Sequence, residues 1–249
     1  PAGMIVLCGP MNSGKTSSLY AALAELNTES RNLVTLEDPI ERVLPGVNQV
    51  QIHPKAGMTF VAGLRAVLRQ DVTGILLGEI RDEETAAMAV RIALTGHLLM
   101  TTIHTEDAVA ALYRMLEMGV APYLLAATLS GIISQRLVRR LCPDCREMYR
   151  AAGDSEEAAF FGAGGEGLLL YRSRGCDACH GTGYRGRTVL AEILVPGEAV
   201  REGILQKVPR REMAARARAS GMRSLLEDGR AKAEAGITSW QEVRRVLYG

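Results

Sequence analysis

The chain has 249 residues, 47% of them hydrophobic, enough for one large domain or two small ones with a real core. Lys plus Arg total 29 against 28 Asp plus Glu, so the basic excess that accompanies sequence-independent nucleic-acid binding is missing. No apolar run approaches the roughly 20 residues needed to cross a bilayer, and no charged leader with a cleavage site opens the chain; both point to a cytoplasmic location.

Short apolar runs at residues 4–8, 33–36, 75–77 and 98–102 alternate with longer helical patterns, the layout of an α/β fold with a largely parallel sheet. Helices are expected over residues 17–26, with Leu19, Ala22, Leu23 and Leu26 on one face, and over 83–95, closed by Gly96. From 108 to 140 the pattern stays helical, broken around 119–122. The Gly- and Ala-rich stretch 151–167 reads as a loop, 188–194 as a strand, and the tail from Glu198 as helical, with Ser239 and Glu242 spaced as a capping box for the last helix. A phosphate-loop pattern starting within the first ten residues suggests a piece of a longer protein.

That pattern, Gly9-Pro10-Met11-Asn12-Ser13-Gly14-Lys15-Thr16, fits G-x-x-x-x-G-K-[ST] between an apolar strand and a helix. Backbone amides of the loop and of the helix N-terminus, where Ser17 follows, would cradle phosphates, because orphan N–H groups and the helix dipole both favour anions there. Lys15 would reach the β and γ phosphates, and the Thr16 hydroxyl would complete a Mg²⁺ shell. Glu79, directly after the strand at 75–77, stands where parallel sheets bind ligands and can orient or deprotonate water. Glu37, Asp38 and Glu41 follow another strand; acids so close to phosphates make sense as metal-shell or water-positioning groups. His97 and His104 flank the strand at 98–102, where an imidazole could sense a γ phosphate.

Of five cysteines, Cys8 reads as a buried strand residue without a role. Cys142-Pro143-Asp144-Cys145 and Cys176-Asp177-Ala178-Cys179 are two knuckles spaced for a closed Cys₄ zinc site, and the second continues into C-x-x-C-x-G-x-G, whose glycines let amides turn toward the thiolates. Redox disulfides are the rival use of these pairs; a reducing cytoplasm favours metal.

Taken together, the segments resemble the type II secretion and type IV pilus ATPase superfamily in its assembly branch. Residues 9–16 are similar to its Walker A, 35–41 to its aspartate box, 78–82 to its Walker B end and 95–108 to its histidine box. The resemblance implies a RecA-like P-loop NTPase core at 1–141, a tetracysteine zinc subdomain at 142–195 and a helical C-terminal subdomain at 196–249, with upstream domains preceding the chain. It implies ATP, Mg²⁺ and Zn²⁺ as ligands and Glu79 as the catalytic glutamate. Glu37, Asp38, Glu41, Arg81, His97 and His104 are then expected around the nucleotide. Arg65, Arg69 and Arg81 are candidate phosphate or interface contacts. It further implies a homo-hexameric motor at the cytoplasmic side of the inner membrane, working on a platform protein of a secretion or pilus machine. Where the family has Asp-Pro-Asp before Walker B, this chain has Asp71-Val72-Thr73, which leaves any role of the lost carboxylate open. A ring-shaped DNA translocase and a non-catalytic nucleotide-binding scaffold are the competing readings; near-neutral charge speaks against the first, and intact Lys15, Thr16 and Glu79 against the second.

Overall fold

The computed structural model describes residues 2–162 and 167–249. The chain divides into two compact units, Pro1–Ser134 with Ile193–Met222, and Gln135–Glu192 with Arg223–Gly249. This division differs from three successive segments: the segment 196–249 splits at residue 222, its first two helices joining one core and its last two the other.

In the first unit, β1 (Gly3–Cys8), β2 (Leu33–Glu37), β3 (Asn48–Gln51), β4 (Gly74–Leu77), β5 (Leu98–Ile103) and the start of β6 (Leu129–Leu141) stand in the order β3-β2-β4-β5-β1-β6. Every pair in that order is parallel. Burial on both faces explains the continuous apolar runs. Met4, Val6, Ile75, Leu77 and Leu99 enter one core, while the alternate residues Leu7, Leu76, Leu98 and Met100 enter a second with Leu19 and Leu23 of α1 (Lys15–Leu26). This is the period of two that a strand imposes. Cys8 is fully buried in the first core.

The remaining helices of this unit are fixed by their ends and their apolar stripes. Thr59, Asp82 and Asp107 each accept a backbone N–H at the start of α2 (Phe60–Val67), α3 (Glu83–Leu94) and α4 (Ala108–Glu117). Thr95 ends α3, and Gly96 follows at φ +94°. After α5 (Pro122–Thr128) the chain does not continue as helix: residues 129–141 form β6, which pairs with β1 from Met4 opposite Leu129 to Cys8 opposite Ser134. The helical spacing of that stretch is overridden because β1 offers a full row of backbone donors and acceptors that only another strand can satisfy. Helices α7 (Glu198–Gln206) and α8 (Arg210–Ala219) complete the first core through Val200, Ile204, Met213 and Ala217.

The second unit contains β7 (Arg146–Arg150) paired antiparallel with β8 (Leu169–Ser173). Between them the expected loop is in part helical: Ser155 caps α6 (Glu156–Phe160) by accepting from the Ala158 amide, and residues 163–166 lie outside the described residues. Strand β9 spans Tyr184–Leu194, four residues more at its start than expected, and follows β6 in the sheet order. The Ser239–Glu242 capping box is half present before α10 (Trp240–Tyr248). Ser239 accepts from the Glu242 amide at 3.3 Å, but the Glu242 carboxylate does not return to it. A reciprocal box instead opens α9 (Leu225–Glu234), between Ser224 and Glu227.

Glu242 is 1% exposed and is taken up by arginines. It accepts from the Arg139 amide at 3.0 Å, from Arg139 Nη2 at 2.8 Å, and from Arg245 Nη2 at 2.7 Å and Nε at 2.9 Å. Arg139 in turn lies over the Tyr184 ring at 4.2 Å. Burial raises the Glu242 pKa, but the guanidinium and amide donors outweigh it and hold the carboxyl down at about 2. A folded pKa below the ordinary value near 4.5 gives stability that is complete above that value and is lost as pH falls through about 2. Glu242→Gln is therefore expected to cost about 3 kcal/mol at pH 7, and the gap between parent and variant should close between pH 4.5 and 2. Urea unfolding followed by Trp240, the chain's single tryptophan and part of this second core, reads both.

Candidate functional site

Strands β1, β2, β4 and β5 deliver their functional groups at or just past their C-terminal ends, and parallel pairing brings those ends to one edge. After β1 the chain turns through residues 9–14 with Gly9 at φ +147°, Asn12 at φ +60° and Gly14 at φ +85°, the last serving as N-cap of α1. Glycine carries two of these three left-handed positions without strain, which leaves the first amides of α1 directed into the loop. Lys15, 8% exposed, donates from Nζ to the Gly9 and Pro10 carbonyls, both at 2.8 Å, and so holds its ammonium across the loop.

A 310 Å³ cavity opens at this edge. Its lining includes Met11, Asn12, Lys15 and Thr16 from the loop and α1, Glu37, Asp38, Pro39 and Glu41 after β2, Glu79 after β4, and Thr102 and His104 at the end of β5. Three of these four acids have side-chain partners, and Asp38 is exposed. Glu37, 3% exposed, accepts from Tyr20 Oη, from Thr35 Oγ1 at 2.5 Å and from Gln49 Nε2 at 3.0 Å. Glu41 accepts from Thr16 Oγ1 at 3.1 Å. Glu79 pairs with the Arg81 guanidinium through one oxygen and faces His104 Nε2 at 3.7 Å through the other. The peptide before Glu79 is pinned as well: Thr102 Oγ1 donates to the Gly78 carbonyl at 2.8 Å and the Ile80 amide donates to the Thr102 carbonyl at 3.0 Å.

Ser13 is buried within the loop, and Ser17 is exposed on α1 outside the cavity lining. Arg81 reaches the site only through Glu79. Arg65 is bound to Glu84 at 3.2 Å, and neither it nor Arg69 lines the cavity. His97 is not brought to the site. It precedes β5 whereas His104 follows it, so the six residues of the strand set them roughly 20 Å apart. His97 lines a different cavity, of 440 Å³, at the opposite strand ends with Arg31 and Thr73. The departure at Asp71-Val72-Thr73 lies at that end too: Val72 is buried and Thr73 donates to the Asn32 carbonyl at 3.0 Å, so the missing carboxylate takes nothing from the cavity around Glu79. Phe60, Thr102 and Met11 line the cavity without any sequence signal that separates them from ordinary core or turn residues. Tyr20 and Gln49, which serve the acids from behind, are equally silent in sequence.

In the second unit the four knuckle cysteines converge. Their sulfurs all lie within 4.8 Å of one another, with Cys142–Cys176 at 3.9 Å, Cys145–Cys179 at 3.8 Å and Cys176–Cys179 at 3.7 Å. A tetrahedral site with Zn–S bonds of about 2.3 Å has S···S edges of about 3.8 Å, and none of the four is in a disulfide. The glycine-rich continuation turns amides onto sulfur as expected: Gly183 N and Cys176 N each donate to Cys179 Sγ at 3.2 Å. Burial raises the Cys179 pKa, but these amides and the neighbouring thiols bring it down to about 6, whereas burial drives Cys145 up to about 12 and Cys142 is also raised, as expected of four crowded thiols that cannot all ionise without a cation between them. The cluster is compatible with zinc.

The electrostatics of His104 offer a check on the first site. Burial and the Lys15 ammonium lower its pKa, Glu79 opposes them, and the net shift is downward, so the imidazole is neutral at pH 7. Imidazole proton resonances should therefore show His104 titrating below the ordinary value of about 6.5. Lys15→Met should move that titration up and Glu79→Gln should move it further down.

Comparison with known proteins places these features in a family. The model of the family described as "Type II/IV secretion system protein" matches residues 1–245. The chain is 47% identical over 247 residues to the "Type II secretion system ATPase E" of Vibrio cholerae, covering 99% of this chain and 48% of that protein. It is 44% identical over 250 residues to the "Type IV pilus assembly ATPase PilB" of Thermus thermophilus, covering 98% of this chain and 27% of that one. Among solved structures, the ATPase DotB of Legionella pneumophila superposes with a TM-score of 0.71 at 25% identity, over 98% of this chain and 59% of that one. The chain thus spans about half or less of the length of these curated relatives. A phosphate loop, an acidic segment and a glutamate meeting at one sheet edge, a four-cysteine cluster and a match along nearly the whole sequence together establish that the chain belongs to the type II/IV secretion system protein family.

Proposed function

We propose that this chain is the ATP-hydrolysing core of a motor ATPase that drives type II secretion or type IV pilus assembly. The observation that carries the reading is the meeting of Lys15, Thr16, Glu37, Asp38, Glu41, Glu79 and His104 around one cavity at the C-terminal edge of a parallel sheet. The amides of Gly9, Asn12, Ser13, Gly14 and Ser17 and the Lys15 ammonium receive the phosphates. Mg²⁺, held through Thr16 and the acidic segment, would supply charge neutralisation between phosphates and carboxylates. Glu79 orients the attacking water and takes its proton. Arg81 holds that carboxylate in place by an ion pair, and neutral His104 can donate a hydrogen bond without adding charge. Such a general base contributes about 10² to 10⁴ in rate.

The relatives named as ATPases of secretion and pilus machines support a motor that acts on a membrane-bound apparatus from the cytoplasmic side. Among the described residues no helix is long and apolar enough to cross a membrane. A homo-hexamer docked on an inner-membrane platform protein is the assembly this reading requires, with arginines from outside the cavity completing the site at a neighbour's edge. The Cys₄ cluster would hold zinc in a closed shell, where the ion organises the second unit and has no position open to substrate.

ATP turnover by the protein, beside a Glu79→Gln variant, tests the catalytic half. A loss of about 10² or more with nucleotide binding retained supports it, and binding without turnover in the assembled parent would instead indicate a scaffold. Zinc analysis tests the structural half: one zinc per chain is expected, and chelation or Cys179→Ser should lower the melting temperature of the second unit while leaving nucleotide binding intact. A cysteine cluster that melts identically with and without zinc would rule out the structural role.

A further inference from the structure

Tyr20 belongs to none of the motifs that mark this site, yet its hydroxyl is bonded to both ends of the acidic segment. It lies four residues after Thr16 on α1, hence on the same helix face, and is 3% exposed. Its hydroxyl donates to Glu37 Oε2 and accepts from the Glu41 amide at 3.3 Å. Between these two residues the backbone is also held from the sheet side, by Gln51 Oε1 accepting from the Ile40 amide at 2.9 Å, and just beyond them Gln49 bonds the Arg42 carbonyl at 2.9 Å and the Leu44 amide at 2.6 Å. Tyr20 is thus the hydrogen-bonded tie from the segment's backbone to the phosphate-loop helix.

This tie bears on Thr16. The Thr16 hydroxyl donates its proton to Glu41 Oε1 at 3.1 Å, and a hydroxyl whose proton is so engaged presents its lone pairs to the opposite side, as a ligand to a cation must. The direction of that bond depends on where Glu41 stands, and the Glu41 amide rests on the Tyr20 oxygen. Resting on the nucleotide reading above, we infer that Tyr20 is a positioning residue for the divalent cation: through Glu41 it orients the Thr16 hydroxyl, and through Glu37 it holds the acidic segment at a fixed distance from the phosphate loop. The phenol does this without bringing a charge. A lysine or arginine in its place would bring a positive charge against the very acids that the cation has to meet, whereas a phenol satisfies the buried Glu37 by a hydrogen bond alone. Partners of this kind behind a metal ligand are typically worth 10- to 100-fold in metal affinity.

The test is Tyr20→Phe, which keeps the ring and its packing beside Leu19 and Leu23. Binding of a fluorescent ATP analogue to the chain is titrated with Mg²⁺. The variant should need roughly 10-fold more Mg²⁺ for half-maximal binding, with affinity in EDTA unchanged, and amide exchange at Glu41 should accelerate because its acceptor is gone. In a double-mutant cycle, Tyr20→Phe should have a smaller effect once Thr16→Ala has removed the hydroxyl it orients, the remainder being its hold on Glu37. A folded variant with the parent's Mg²⁺ requirement, or one whose effect is as large in the Thr16→Ala background as in the parent, overturns the inference and leaves the nucleotide reading standing. A parent with no Mg²⁺-dependent nucleotide binding overturns both.

Discussion

The site depends on one constraint, the common direction of β1, β2, β4 and β5. Parallel strands cannot be joined by tight turns; each must be followed by a crossover that brings the chain back to the opposite edge. Every loop that leaves a strand's C-terminal end therefore emerges on the same side, and the residues free to vary there face one another whatever their distance in sequence. Lys15, Glu37, Glu79 and His104 lie up to 89 positions apart yet line one cavity for this reason. The same rule sends His97 and Thr73 to the far edge, since they precede their strands.

Bringing four carboxylates beside the loop sets an electrostatic problem that the surrounding side chains meet for three of them, Asp38 being left to solvent. Glu37 is buried and is served by two hydroxyls and an amide. Glu41 turns to Thr16, and Glu79 divides its two oxygens between Arg81 and His104. The ammonium of Lys15 is near enough to His104 to help keep the imidazole neutral. The cavity consequently combines acids placed for a divalent cation with a cationic loop placed for phosphates, the two complements of a metal–nucleotide pair.

The second unit solves a different problem. Its apolar cluster is small, built around Val138, Leu170, Leu190, Trp240 and Val243, and a core of that size gives limited stability by itself. A polar staple compensates, the buried carboxylate of Glu242 clasped by Arg139 and Arg245, and the four converging sulfurs would add a second on the proposed zinc reading. Both join residues distant in sequence, so both are formed only when the whole unit is assembled.

What the sequence by itself determined are the features whose physics is local. A phosphate loop is a run of consecutive amides between a strand and a helix, and the cysteine knuckles are fixed by two short spacings, so residues 9–16 and the four cysteines could be read directly. Central strands were legible as continuous apolar runs because both of their faces are buried. The tertiary structure alone decided what depends on a distant partner. Residues 129–140 carry a helical pattern and become a strand because β1 leaves its edge to be paired; Glu242 gives up its cap because Arg139, 103 positions away, lies within reach. Tyr20 and Gln49 acquire their part at the site from the acids that packing sets against them. Spacing along a chain records which groups share a turn or a face, whereas a hydrogen bond or a strand pairing between remote residues exists only after the chain has closed on itself.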